Sequence, residues 1–210
     1  TRNLKFLMDT GASLPLLIYT DTDTTMTIPP NALPGNIGRG LGGFLSGYQG
    51  RIQTLQFSDF NFKEVITSFQ ASDSIQLDLR LINNRNGIIG NEILSRFNVV
   101  FDYWNEVIYL KPNKNYRNKF KYDRSGLILI ASGKNLNRYT VQYVVPNSPA
   151  DEANIQKGDT ILKINRVSTK ILTMDGVVQK LRKRIGKRIK LLVERDGVRH
   201  KVDFRLREIL

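Results

Sequence analysis

The sequence predicts a mainly β chain in two parts, an all-β unit followed by a mixed α+β unit. Three observations carry that expectation. From Leu4 to Leu110 the chain breaks into short apolar or β-branched runs separated by turn residues, which is the pattern of strands. Charge is lopsided: residues 1–120 hold 12 Lys+Arg against 10 Asp+Glu, residues 121–210 hold 20 against 9, and the whole chain carries +13. The shift falls at Lys111-Pro112-Asn113-Lys114-Asn115-Tyr116, a polar, proline-marked stretch that reads as a linker. The expected boundaries are 1–112 for the first unit, 113–122 for the linker and 123–210 for the second unit.

In the first unit the predicted strands are 4–8, 16–19, 51–57, 64–69, 98–101 and 107–110, with one short helix over 91–96 directly after Gly90. In the second, strands are predicted over 127–131, 140–145, 160–165, 190–195 and 198–206. Asp196-Gly197 is a strong two-residue hairpin turn between the last two. Helices are predicted over 150–153 and 173–185, the latter with Val177, Val178, Leu181 and Ile185 on one face.

Composition excludes several classes. Of 210 residues, 40% are apolar and 24% charged, ordinary for a globular chain and unlike collagen or low-complexity sequence. No run approaches the roughly 18 apolar residues of a membrane-spanning helix. Cysteine is absent, which removes thiolate nucleophiles, cysteine metal sites and disulfides. His200 is the single histidine, in the strand-like run Val198-Arg199-His200-Lys201-Val202, and reads as a surface strand residue. Ser-His-Asp catalysis or an imidazole metal site would rest on it alone. Carboxylates or hydroxyls are therefore the expected chemistry, with no metal and no cofactor called for. The chain starts at Thr1 without an initiator methionine and its key motif follows at once, so a segment removed upstream is expected.

That motif is Phe6-Leu7-Met8-Asp9-Thr10-Gly11-Ala12-Ser13, an apolar strand running into Asp-Thr-Gly-Ala-Ser. A working carboxylate belongs at a strand end, in a tight turn whose N–H groups and hydroxyls can hydrogen-bond it. Gly11 lets the backbone pass close by, and Thr10 and Ser13 supply hydroxyls. An ordinary turn between two strands would have the same tripeptide. The context adds weight: seven of the sixteen glycines (Gly35, Gly38, Gly40, Gly42, Gly43, Gly47 and Gly50) fall in residues 35–50, a hairpin able to close over a cleft. Gly38-Arg39-Gly40-Leu41-Gly42-Gly43 also satisfies GxGxxG, but it follows Pro34-Gly35 and leads into strand-like residues instead of a helix, which argues against dinucleotide binding. Next come Gly87-Ile88-Ile89-Gly90, the short helix, and the strand pair ending Val107-Ile108-Tyr109-Leu110.

This order, over essentially all of 1–112, resembles one lobe of a retropepsin-like aspartic peptidase. The resemblance implies a closed β structure of six or more strands with a flap and one short helix. Asp9 would then be one of two catalytic aspartates, positioned by Thr10 and Gly11. Ser13, the flap residues Gly40, Leu41, Gly42 and Gly43, and Ile89 would contact substrate. Two carboxylates about 3 Å apart share one proton, so that one activates a water while its neighbour polarises the peptide carbonyl. The chain holds a single Asp-Thr-Gly, and Asp59 and Asp102 read as turn and strand residues. The second aspartate must come from an N-terminal lobe of the same protein or from a homodimer mate.

Val144-Val145-Pro146-Asn147-Ser148-Pro149-Ala150 through Gly158-Asp159-Thr160-Ile161-Leu162-Lys163-Ile164-Asn165 closely resembles the strand, short helix, Gly-Asp turn and strand of bacterial PDZ domains. Asn154 and Arg166 stand where many of them have glycine. The resemblance implies an α+β domain that binds extended peptide ends by strand addition. The carboxylate-receiving loop would be Ser125-Gly126-Leu127-Ile128, with Gly126, Leu127 and Ile128 facing the peptide C-terminus and Val177, Val178 and Leu181 forming the groove wall. Those apolar residues could equally fill a core. Lys180, Arg182, Lys183, Arg184, Lys187, Arg188 and Lys190 form a basic tract, read as a solvated face or as a surface for anionic partners. No stacking-aromatic motif accompanies it, so specific nucleic-acid binding is not expected.

The whole resembles Bacteroides-type bacterial proteins that join two retropepsin-like lobes to a C-terminal PDZ domain, this chain matching the second lobe plus the PDZ domain. The expected function is aspartic endopeptidase activity on polypeptides. The alternative is an inactive scaffold that works through the PDZ groove. The compartment is open; periplasmic or envelope export follows from the resemblance alone.

Overall fold

The computed structural model describes residues 4–40, 43–70 and 85–210. It is mainly β, and it divides into two units, 1–120 and 121–210.

The first unit is built around an uninterrupted apolar run. Its strands are β1 (Phe6–Asp9), β2 (Leu16–Tyr19), β3 (Leu33–Gly40), β4 (Gly43–Phe57), β5 (Phe60–Gln70) and β6 (Gly87–Gly90), in the spatial order β1-β6-β2-β5-β4-β3, a curled half-barrel sheet. All four residues of β2 are buried, because the strand lies between β6 and β5 with side chains covered on both faces. β6 inserts between β1 and β2, parallel to the first and antiparallel to the second, with Asp9 opposite Gly90. This is why Ile88-Ile89 is bracketed by glycines. A Cβ on Gly87 would lie 2.0 Å from the Leu17 carbonyl oxygen, and one on Gly90 2.1 Å from that of Leu14.

Helix α1 (Asn91–Leu94) buries Ile93 and Leu94 and stops at the Ser95 cap, short of the predicted 96, because Arg96 is turned inward. Strands β7 (Phe97–Asp102) and β8 (Val107–Pro112) form a separate hairpin, and the Asp102 carboxylate accepts the Asn105 N–H and side-chain amide at its turn. Residues 113–120 pack back on this unit: Tyr116 meets Phe60, Phe62 and Phe97, and Phe120 meets Phe62.

The second unit contains β9 (Leu127–Ser132), β10 (Arg138–Val144), α2 (Pro149–Glu152), β11 (Thr160–Ile164), β12 (Val167–Ser168), α3 (Met174–Leu181), β13 (Arg188–Arg195) and β14 (Val198–Arg205). The sheet order is β14-β13-β11-β10-β9, with β12 beside β11, so β9 is an edge strand. Tyr139, Val141, Ile161, Ile164, Val177, Leu181, Ile189 and Val193 fill the core. The β13–β14 turn has Asp196 and Gly197 both at positive φ, as its Asp-Gly sequence requires. Helix α3 ends at Leu181, four residues before the predicted end, and Ile185 is exposed. Gly186, at φ +78°, donates its N–H to the Leu206 carbonyl and draws the chain into β13 instead.

Candidate functional site

Asp9 ends β1 where the chain turns sharply toward β2. Its Oδ1 accepts the N–H groups of Gly11 at 2.8 Å and Ala12 at 3.1 Å. Of the expected donors, the backbone N–H groups hold the carboxylate; Thr10 and Ser13, which carry the hydroxyls, are exposed on the turn. Gly11 lies close to the carboxylate: a Cβ there would stand 3.2 Å from Asp9 Oδ1. The turn is fixed from the other side by β6 and α1. Gly90 N–H donates to Pro15 O at 2.9 Å, and Asn91 N–H donates to Ala12 O at 2.7 Å. The carboxylate therefore sits on a turn clamped by the β6–α1 junction, where Gly90 and Asn91 are consecutive residues.

The glycine-rich segment forms the β3–β4 hairpin, in which Gly40 pairs with Gly43. Both GxGxxG flanks are strand, which removes the helix a phosphate loop needs. Leu41 and Gly42 lie outside the described residues. Ile37 and Leu45 of the hairpin pack with Leu14, Leu17, Tyr19 and Ile88, so it folds over the sheet face next to the Asp9 turn. Ile89 points the other way. It is buried and lines an apolar cleft of about 820 Å³ with Phe6, Met8, Leu16, Ile18 and Phe69. By strand alternation that face of β1 is opposite the one carrying Asp9.

In the second unit β9 pairs only with β10 among the described residues. Val145 N–H donates to Gly126 O, so alternation turns the Leu127 backbone away from β10, where its N–H is taken by Ser125 Oγ. Leu127 and Leu129 share a core cluster with Val177 and Leu181 of α3. Val177 and Leu181 are fully buried, Leu127 is buried, and Val178 and Ile128 are half-buried.

The loop before β9 departs from expectation. Its N–H groups do not face outward to a ligand. Asp123 Oδ1 accepts Ser125 N–H at 2.8 Å, Gly126 N–H at 2.8 Å and Ser125 Oγ–H at 2.6 Å, while Leu127 N–H donates to Ser125 Oγ at 3.2 Å. Burial raises the Asp123 carboxyl above its ordinary range against the pull of these donors. Gly126 sits at φ +84°, and a Cβ there would fall 2.1 Å from Ser148 Oγ. Ser148 caps α2, its Oγ accepting Asp151 N–H, and Ala150 N–H donates to Ser125 O. Sequence reasoning missed Asp123, although Asp123-Arg124-Ser125-Gly126 spells an Asx turn.

Across the unit, the Gly158-Asp159 turn places Asp159 with no exposed side-chain surface. Arg195 grips it with Nε–Oδ1 at 2.7 Å and Nη2–Oδ2 at 2.8 Å. Burial alone would push this carboxyl up; the guanidinium and the Gln156 N–H hold it below the ordinary range.

Residues 2–93 match the aspartyl protease family, and residues 140–195 match the PDZ domain. The chain joins an aspartyl protease domain to a PDZ domain. A curated relative, a probable CtpA-like serine protease of Staphylococcus saprophyticus, is 27% identical over 101 residues, 48% of this chain. The chain spans 20% of that relative's length. Among solved structures, the PDZ domain of a carboxy-terminal protease from Vibrio cholerae in complex with peptide is 22% identical with a TM-score of 0.35, covering 42% of this chain and 100% of that one. The HtrA3 PDZ domain bound to a phage-derived ligand is 20% identical with a TM-score of 0.35, covering 41% of this chain and 86% of that one.

Proposed function

We propose that this chain contributes one carboxylate of an aspartic peptidase dyad, Asp9, and that its PDZ domain captures polypeptide. The carrying observation is the Asp9 turn, with a strand-end carboxylate held by two backbone N–H groups and clamped through Gly90 and Asn91. The match of residues 2–93 to the aspartyl protease family supports the same reading.

In this mechanism Asp9 and a second carboxylate share one proton. The ionised member takes a proton from water, which attacks the peptide carbonyl carbon. The protonated member gives its proton to the carbonyl oxygen as the tetrahedral diol forms. The proton taken from water then passes to the amide nitrogen as the C–N bond breaks, while one diol hydroxyl returns its proton to the other carboxylate and the amine leaves. Thr10 and Gly11 position Asp9; the β3–β4 hairpin covers substrate; Ser13 and Gly43 flank it. Asp9 is the sequence's one Asp-Thr-Gly aspartate, so its partner belongs to a second lobe, in the same polypeptide or in a second copy. The β7–β8 hairpin offers apolar surface for such a lobe: Val100, Phe101, Tyr103, Trp104, Val107 and Tyr109 are all exposed. A serine mechanism of the Ser-His-Asp type would need His200, half-buried on β14 opposite Val193, as its base.

Cleavage of an unbiased peptide mixture between about pH 3 and pH 7 tests the proposal, with Asp9→Asn as control. Asp9-dependent cleavage that steepens with chain concentration assigns the partner carboxylate to a second copy. Asp9-dependent cleavage only in the presence of another Asp-Thr/Ser-Gly lobe assigns it there. Cleavage untouched by Asp9→Asn, or none under any of these conditions, rejects the dyad and leaves a peptide-binding scaffold.

A further inference from the structure

The loop ahead of β9 contains the N–H groups that a strand-adding groove would turn toward a ligand's terminal carboxylate. Those of Ser125, Gly126 and Leu127 are already used within the chain. Ser125 and Gly126 donate to Asp123 Oδ1, and Leu127 donates to Ser125 Oγ. The occupant is itself a carboxylate. Ser125 has no exposed surface, and Gly126 packs against Ser148 without room for a methyl group. Arg124, the adjacent cation, is committed elsewhere. Its Nε and Nη2 bond Glu208 Oε2 at 3.0 and 2.9 Å, and Nη1 donates to the Lys183 carbonyl at 2.9 Å. By contrast, the outward backbone of β9 beyond this loop faces no strand among the described residues.

We propose that the PDZ domain takes internal, extended polypeptide segments without reading a free C-terminus, because Asp123 stands in for the terminal carboxylate. This rests on the peptide-binding reading above and narrows its ligand class. A ligand carboxylate entering the loop would meet the Asp123 carboxyl and find the N–H groups of Ser125, Gly126 and Leu127 already taken, whereas strand pairing along β9 needs none of them. Asp123 is thus a specificity determinant. Its Ser125 and Gly126 bonds are the same backbone donors that a chain end would otherwise use. For the peptidase lobe, the consequence is delivery of looped or unfolded chain interiors, not of trimmed ends.

The test uses the full 210-residue chain and two random-peptide phage libraries, one displayed with free carboxyl ends and one displayed between fixed flanks. Enriched sequences are then synthesised as C-terminal acid and C-terminal amide and titrated by fluorescence anisotropy. The expectation is enrichment from the flanked library, and acid and amide affinities within about threefold of each other. In Asp123→Ala the loop donors are released, and the acid should gain about tenfold over the amide, the size of one charge-assisted hydrogen bond. Enrichment confined to free ends, with a tenfold or greater acid preference in the unmodified chain, overturns the proposal. Acid and amide remaining equal in a folded Asp123→Ala overturns the role of Asp123. Should that variant fail to melt cooperatively, the unmodified chain's acid-to-amide ratio still decides the ligand class. Enrichment from neither library removes the peptide-binding reading itself, a different failure from end-dependence.

Discussion

The Arg96 guanidinium lies 3.7 Å from the centroid of the Phe120 ring. From there it donates to the carbonyls of Glu92, Asn115, Tyr116 and Asn118, so a buried cation binds residues 115–120 to α1. Burial pushes its pKa down, and the nearby Glu92 pulls it back up. Arg96→Met retains the apolar stem but strands several carbonyls, and should destabilise the protease lobe by about 2–4 kcal/mol. Arg96→Lys should recover little, lacking the planar fork. Amide exchange reads both. Protection should fall across 97–120 and stay unchanged in 139–195; equal loss in the two units would contradict the assignment.

Gly90→Ala should disable the Asp9 turn, because the new Cβ would fall 2.1 Å from Leu14 O and 2.8 Å from Ala12 O. Lys63→Ala, at an exposed position of β5, is the control. If the proposed peptidase activity holds, Gly90→Ala should reduce Asp9-dependent cleavage about a hundredfold while peptide binding by the PDZ domain persists. Similar activity in the two variants would show that close approach at Gly90 does not position Asp9.

Removing one partner of the buried Asp159–Arg195 pair leaves an uncompensated charge. Arg195→Met should therefore cost about 3 kcal/mol of PDZ stability, measured by urea unfolding. The pair also sets a pH signature. Asp159 is held below its ordinary value in the folded state, so its contribution is complete above the unfolded carboxyl pKa, about 3.9, and disappears as pH falls through the lower folded value. The stability difference between the unmodified chain and Asp159→Asn should shrink only in that acid window. A difference that shrank between neutral pH and about pH 5 would assign the effect to another group.

Tyr139 is fully buried, and its hydroxyl donates to the Leu172 carbonyl at 2.6 Å, tying β10 to the segment leading into α3. Tyr139→Phe keeps the ring and strands that carbonyl. The expected loss is about 1 kcal/mol, or a few degrees in the PDZ domain's melting temperature. An unchanged melting temperature would mean that water replaces the hydroxyl.

Much of the architecture was legible in the residues because it depends on local chemistry. The strand at Leu16–Tyr19 is a continuous apolar run, the Asp196-Gly197 turn needs two positive φ values, and Ser148 precedes a proline-led helix. The Asp9 turn was legible too, in Asp-Thr-Gly following an apolar strand. The identity of its supports was not, since Gly90 and Asn91 arrive through a parallel pairing some eighty residues later along the chain. The end of α3 was misjudged for a related reason: Leu206 accepts the Gly186 N–H from a distant strand end and overrides helical periodicity. Arg96 carries no sequence signal, because its partners are backbone carbonyls that every residue possesses. The Asp123 loop shows the division most clearly. Its residue types announce a turn rich in N–H donors, but only the folded geometry decides whether those donors face a ligand or a side chain of their own chain. Competing acceptors are ranked by distance and burial, and neither quantity exists until β9, α2 and the loop are packed together.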